Sequence, residues 1–229
     1  MSFYCDICCD ICVNLDTWKC HECVHKERGN YFEASPELLA KFQEEKLIRQ
    51  LEAIPKESLP VSVSEEFMKT FVIAKKYTAT TLRFCCVYCA NDYLLATDGM
   101  RMIKINIDVP NELRGKHIID IQNGEAFIHL EPADIYVNES AISYFNQGNA
   151  QIITTKQKFR ELLTNYKDHY ESSLVDKKFI IQNKYLEDIL ELIPNNEELT
   201  IKHGGQCEPV TFGFRNYEIL VMPIRPYDY

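Results

Sequence analysis

Apolar residues along this chain recur with two different periods, and the changes of period mark its elements. Leu38, Leu39, Phe42, Leu47, Ile48 and Leu51 follow the spacing of one helical face. Ser35-Pro36-Glu37 opens that helix with a capping hydroxyl, a first-turn proline and an acid at the positive pole, and Pro55 lies beyond its end. From about residue 60 the pattern becomes a unit that occurs twice. The first copy starts at Val61-Ser62-Val63-Ser64. It continues as a helix over 65–77, with Glu65 and Glu66 in the first turn and Lys75 and Lys76 in the last, as the helix dipole favours. Strands follow at about 81–90, 93–97 and 100–107, with turns at Asn91-Asp92 and Asp98-Gly99. The second copy opens at Lys178-Phe179-Ile180-Ile181 and has a helix over 184–193 stopped by Pro194. Its strands fall at 199–203, 210–214 and 217–224. Both copies read β-α-β-β-β, which predicts an α+β fold built from a duplicated unit. Between them, 117–131 reads as a hairpin turning at Asn123-Gly124, and 156–170 as helical.

Composition narrows the class. The chain has 229 residues, 46% hydrophobic and 26% charged, which is ordinary for a folded globular protein. It holds no apolar run near the ~20 residues a bilayer span needs. Its start, MSFYCDICCDIC, lacks the basic opening and apolar stretch of a secretory signal, so a cytoplasmic setting is expected. Net charge is -9, which argues against a uniformly basic nucleic-acid coat but leaves room for a local basic stripe.

Six of the ten cysteines fall in the first 23 positions. In a reducing compartment such clustering points to metal rather than disulfides. Cys5/Cys8, Cys9/Cys12 and Cys20/Cys23 are three CxxC pairs, and two such turns complete a tetrahedron of thiolates about 2.3 Å from a zinc ion. The preferred set is Cys5, Cys8, Cys20 and Cys23, with Cys9, Cys12 and His25 as alternates. The expected organisation is a zinc module over 1–30, a linking helix over 31–59 and the duplicated domain over 60–229. No zinc-hydrolase pattern accompanies these cysteines, so the Zn2+ is expected to be structural. The module carries three basic and five acidic residues, a balance suited to protein contacts or folding. Cys85, Cys86 and Cys89 lie instead in TLRFCCVYCA, where β-branched and aromatic neighbours predict a buried strand and a packing role. Cys207 is read the same way.

Two segments carry a family resemblance. YLLATDGMRMIKI, residues 93–105, resembles the ATDGHRLA stretch of the bacterial DNA polymerase III beta sliding clamp, and YEILVMPIRPYDY, residues 217–229, is similar to the VVMPMRL that closes that clamp. Residues 184–212 also resemble the clamp's last helix and following strands, and the order of elements agrees. The resemblance covers about 60–229 and implies the processivity fold. In that fold helices line an inner surface, sheets pair edge to edge into a ring, and the ring slides on duplex DNA without base contacts. It also implies a shallow pocket for short hydrophobic peptides of polymerases and other replication proteins. Carried over by position, the pocket takes Thr97, Gly99, Met100, Arg101 and Met102 from the first motif and Leu220, Met222, Pro223 and Arg225 from the second. Met100 stands where the family usually has histidine. At this length, closing a ring requires a homo-oligomer of about six copies or a different partner. A bacterial or phage setting follows from the same resemblance.

Charge divides the functional readings. Residues 61–107 hold six basic and four acidic residues, with Lys69, Lys75 and Lys76 on the helix as candidate DNA contacts. Residues 183–200 hold one basic and five acidic residues, a helix that would repel phosphate. The first reading is a non-enzymatic, clamp-like replication or repair factor that touches DNA weakly and recruits partners. The second is a zinc-containing regulatory or interaction protein on the same fold that does not encircle DNA. No glycine-rich phosphate loop, GxSxG, HExxH or framed acid pair supports an enzyme.

Overall fold

The structure is a computed structural model. It describes residues 56–79, 82–130, 137–146, 150–166, 169–172, 179–204 and 208–224, with short strand segments at 3–5, 11–12 and 31–33. The chain divides into two compact units, 1–53 and 54–229.

In the first unit, β1 (Phe3–Cys5) pairs antiparallel with β2 (Ile11–Cys12) on one side and β3 (Tyr31–Glu33) on the other. Cys5 and Cys12 therefore sit at opposite ends of the short β1–β2 ladder, where Phe3 faces Cys12 and Tyr4 faces Ile11. Cys8, Cys9, Cys20, Cys23, His25 and the linking helix lie outside the described residues.

The second unit is organised by one ten-stranded sheet whose neighbouring strands are, in order, 150–155, 198–203, 210–214, 217–221, 101–106, 93–97, 87–89, 116–122, 125–129 and 56–60. The unit opens with β4 (Lys56–Pro60), paired antiparallel to residues 125–129. Residues 61–64, expected as the opening strand, instead lead into helix α1 (Glu65–Lys75). Ser64 is the N-cap, its hydroxyl accepting from the Phe67 amide at 3.1 Å, and the Val61 amide donates to Gly124 O at 2.8 Å. A capping serine has an extended backbone, and this one serves the helix rather than a ladder. Next come β5 (Val87–Cys89), β6 (Tyr93–Thr97) and β7 (Arg101–Asn106). The long strand expected over 81–90 is only three residues, because Leu82–Phe84 forms a 3-10 turn before it. The hairpin β8 (Lys116–Gln122) and β9 (Glu125–His129) turns at Asn123-Gly124 as expected, with φ of 51° and 79°. These positive values are what a two-residue type I′ connection demands.

The middle of the chain is more regular than its sequence suggests. A 3-10 helix, Glu139–Asn146, leads to β10 (Ala150–Thr155) and α2 (Lys156–Glu161). The helix expected over 156–170 ends after its first turns, and β11 (Leu163–Tyr166) and β12 (His169–Ser172) follow. With β13 (Phe179–Gln182) they form a second sheet in the order β11-β12-β13. Thus β10-α2-β11-β12 is a further strand-helix-strand-strand piece between the two expected copies. The last copy is β13, α3 (Asn183–Leu192), β14 (Glu198–His203), β15 (Val210–Phe214) and β16 (Tyr217–Val221).

The core lies between the helices and one face of the large sheet. From α1 come Phe67, Phe71 and Ala74, and from α3 Tyr185, Leu186, Ile189 and Leu190. They meet the inward residues Leu94, Ala96, Ile103, Ile105, Ile201, Phe212, Ile219 and Val221. α2 contributes Phe159, whose ring lies 5.7 Å from that of Phe212. Each such side chain, fully withdrawn from water, contributes about 1.5–3 kcal/mol before chain entropy is counted. Cys89 belongs to this core, and Cys85 and Cys86 are buried too. Among the described residues no helix is long and apolar enough to cross a membrane.

Candidate functional site

The two halves of the sheet join through β7 and β16. Arg101 pairs with Val221, Met102 with Leu220, Ile103 with Ile219, Lys104 with Glu218 and Ile105 with Tyr217. The Met222 amide extends the ladder by donating to Met100 O at 2.9 Å. An ion pair of 2.7 Å between Lys104 and Glu218 bridges the same two strands on the outer face. The DGMR corner and the closing MP segment, more than a hundred residues apart in the chain, are therefore direct neighbours.

The corner is rigid for local reasons. Asp98 Oδ1 accepts from the amides of Met100 at 2.9 Å and Arg101 at 3.0 Å. Thr97 Oγ1 accepts from the Gly99 amide at 3.0 Å and donates to Arg101 O at 2.6 Å. Aspartate and threonine favour such turns because their short side chains bond their own backbone. Gly99 has φ of 90°, and a β-carbon there would lie 3.2 Å from the Phe84 ring. Only glycine occupies that conformation without strain.

Opposite residues in an antiparallel ladder share a face. Thr97, Met102, Leu220 and Thr211 thus form one lateral row across β6, β7, β16 and β15, on the side away from the main core. The segment 137–146 covers part of this side. Val137, Ala141 and Phe145 are buried, Tyr88 Oη donates to Glu139 at 3.2 Å, and His117 Nε2 lies 2.6 Å from Val137 O. Burial, helped by Glu139, pushes the Tyr88 hydroxyl up to about 12, and burial pushes the His117 imidazole below its usual value. Beyond that cover, Met100 and Met222 stay 43% and 37% exposed at the end of the ladder. Leu220, opposite Met102 in the ladder, and Pro223, next to Met222 in the chain, are buried. Flexible thioethers over an apolar base make an adaptable surface for an apolar side chain.

Solved structures of similar backbone identify the fold. A putative DNA polymerase III beta subunit from Eubacterium rectale matches with TM-score 0.52 and 15% identity, over 76% of this chain and 66% of that one. The beta subunit of Caulobacter crescentus matches with TM-score 0.51 and 10% identity, over 75% and 66%. The DnaN sliding clamp of Bartonella birtlesii, solved with griselimycin bound, matches with TM-score 0.50 and 12% identity, over 75% and 66%. This chain has the sliding-clamp fold. It spans 66% of the length of each of those clamps. No protein-family model matches the chain, and neither does any curated protein.

In this clamp fold Arg101, expected in the peptide pocket, faces the other way. Its guanidinium lies between the rings of Tyr77 at 4.4 Å and Tyr185 at 4.9 Å. It bonds Asp98 Oδ2 at 3.0 Å, Lys76 O at 3.1 Å and the carboxylate of Asp188. Burial opposes its charge, yet the bond to Asp188 and the nearby carboxylates keep its pKa above the usual guanidinium value. Alternation along β7 explains the direction: Met102 points outward, so Arg101 points in. The side chain fastens the end of α1, the corner and α3 together.

The other expected site residues are placed unevenly. Thr97 is buried and acts within the corner, Gly99 is exposed, and Arg225 lies outside the described residues. Of the three candidate DNA lysines, Lys69 is exposed and paired with Glu65 at 2.6 Å, and Lys76 is exposed. Lys75 is turned inward, donating to Cys85 O at 2.8 Å, and burial lowers its pKa. It is not a free phosphate contact. On α3, Glu187, Asp188 and Glu191 are exposed. Lys158 and Arg160 on α2 are exposed cations outside the candidate set, since the helix expected over 156–170 carries no assigned face. Among the described residues no group of three His, Cys, Asp or Glu side chains is placed to hold a metal.

Proposed function

We propose that this chain is a non-enzymatic clamp-fold factor of DNA replication or repair that recruits partner proteins by seating short apolar peptide segments at the Met100–Met222 corner. The observation that carries the reading is the β7–β16 junction, which sets Met100, Met102, Leu220, Met222 and Pro223 beside one another. Apolar peptide side chains would cover the methionine faces, and the fixed turn at Asp98-Gly99 lets a peptide backbone approach closely. Duplex DNA contact, in this account, is weak and independent of sequence, through Lys69 and Lys76 and the additional cations Lys158 and Arg160 on α2. The N-terminal unit holds one structural zinc with Cys5, Cys8, Cys20 and Cys23.

The test is fluorescence anisotropy with a labelled clamp-binding peptide. Met222→Asp changes an exposed position and should leave the fold intact while weakening the peptide by at least about tenfold, or 1.4 kcal/mol. Unchanged affinity refutes the site.

The second reading, a regulatory protein on the same fold that does not hold DNA, is favoured by the acidic outer face of α3 and the engagement of Lys75. Anisotropy with labelled duplex DNA separates the two. Binding that weakens steeply with salt supports the first, and no binding at low salt alongside retained peptide binding supports the second.

A further inference from the structure

The sequence holds two adjacent cysteines that the peptide reading does not use. Cys85 and Cys86 are buried, their sulfurs 3.4 Å apart. Lys75 Nζ, donating to Cys85 O at 2.8 Å, keeps an ammonium beside the pair. The preceding residue, Phe84, has its ring beneath Gly99, where a β-carbon would approach it to 3.2 Å, and its carbonyl accepts from the Ala79 amide at 2.8 Å. The dithiol thus sits one residue from the buttress of the Thr97–Arg101 corner.

We propose that Cys85 and Cys86 form an oxidation site, a vicinal dithiol that hydrogen peroxide closes to a disulfide and that thereby loosens the corner. The effect on recruitment rests on reading that corner as a peptide site. Reaction starts at Cys85. The hydrogen bond from Cys86 stabilises its thiolate against the opposing cost of burial, and Lys75 adds to that, so its pKa lies below the usual thiol value. Cys86, the donor in that bond and also buried, is held as the thiol. The Cys85 thiolate attacks one peroxide oxygen, the O–O bond breaks, and the departing hydroxide leaves as water after taking a proton. The Cys86 sulfur then attacks the resulting sulfenic acid. The S–S bond forms, the S–OH bond breaks, and the hydroxyl leaves as a second water with the Cys86 proton. Two thiols lose two electrons and one peroxide becomes two waters.

Closure disturbs the corner for a geometric reason. The sulfurs must approach to about 2.05 Å, while adjacent Cα atoms are only about 3.8 Å apart, below the usual separation in disulfides. The backbone at 85–86 has to rotate, which moves Cys85 O away from Lys75 and shifts Phe84 under Gly99. Such a strained disulfide is easily reduced, which makes the change reversible.

The experiment treats the full-length protein with hydrogen peroxide, alkylates it and digests it with trypsin. Cleavage after Arg83 and Arg101 isolates one peptide carrying Cys85, Cys86 and Cys89. The expected product has lost two hydrogens, takes alkylating agent only at Cys89, and recovers all three thiols with dithiothreitol. Hydrogen exchange at the Gly99, Met100 and Arg101 amides should speed up, and peptide affinity should fall about tenfold, an ordinary size for coupling between sites. Cys86→Ser should instead accumulate dimedone-reactive sulfenic acid at Cys85. If that variant does not fold, the wild-type digest alone decides. Thiols that stay alkylatable, or that pass to sulfinic acid without an S–S bond, overturn the proposal. A disulfide that leaves corner exchange unchanged also overturns it. Failure of the reduced protein to bind peptide sinks the peptide reading alone, because the mass and exchange measurements do not depend on it.

Discussion

Replacing Arg101 by alanine tests whether the arginine is a structural fastening or a peptide contact. The side chain is 10% exposed, as against 16% for Asp98 and 52% for Asp188. A charge-assisted bond to a nearly buried carboxylate contributes about 1.5–3 kcal/mol. The half-exposed Asp188 pair adds only about 0.5–1 kcal/mol because solvent screens it. Each tyrosine face adds about 0.5–1 kcal/mol. Truncation also leaves the mostly covered Asp98 without its cation, so the loss should be about 3–5 kcal/mol, as for breaking other largely buried pairs. For a unit of this size that lowers Tm by about 10 °C. Urea unfolding followed by far-ultraviolet circular dichroism is the assay of choice, because the single tryptophan, Trp18, reports on the N-terminal unit instead. Arg101→Lys keeps the charge but not the planar fork and should recover only part of the loss, while Asp188→Asn should cost under about 1 kcal/mol. A loss below about 1 kcal/mol for Arg101→Ala would refute the fastening role.

Three other outcomes follow from particular positions. Gly99→Ala places a β-carbon against Phe84 at positive φ and should destabilise by about 1–2 kcal/mol in the same assay, whereas a neutral result would contradict the corner geometry. His117 is buried with a lowered pKa, so the unfolded chain binds its proton more readily than the fold does. Its contribution is intact above the ordinary histidine pKa of about 6.5 and is lost as pH falls through the folded value, so His117→Gln should flatten the fall in stability below that pH. Metal analysis of the purified chain should give about one zinc per chain, with loss in a Cys20→Ser, Cys23→Ser double variant, and zero zinc would remove the four-thiolate site.

Much of the sheet was legible in the sequence because its turns are local. Asp98-Gly99 and Asn123-Gly124 each bend the chain with residues that accept positive φ or bond their own backbone. What sequence could not supply was direction and cover. The motif places Arg101 in the pocket, yet alternation along β7 turns it inward, and only the exact strand start settles which of two neighbours faces out. Lys75 looked like a free cation at a helix end, but the Cys85 carbonyl is brought to it by a fold-level packing of the 82–86 turn. The helix expected over 156–170 shows the opposite failure. Its apolar spacing fits a helix, yet pairing of Leu163–Tyr166 with His169–Ser172 overrides local preference. The cover provided by 137–146 has no counterpart among the sequence expectations, although Ala141 and Phe145 are buried in it.

The Met100–Met222 corner is the proposed seat of partner peptides. Hydrogen-exchange mass spectrometry on the full chain, with and without a saturating clamp-binding peptide, tests it most directly. The account predicts protection concentrated at 97–102 and 220–223, absent in Met222→Asp. Protection elsewhere with no change in those two segments would contradict it.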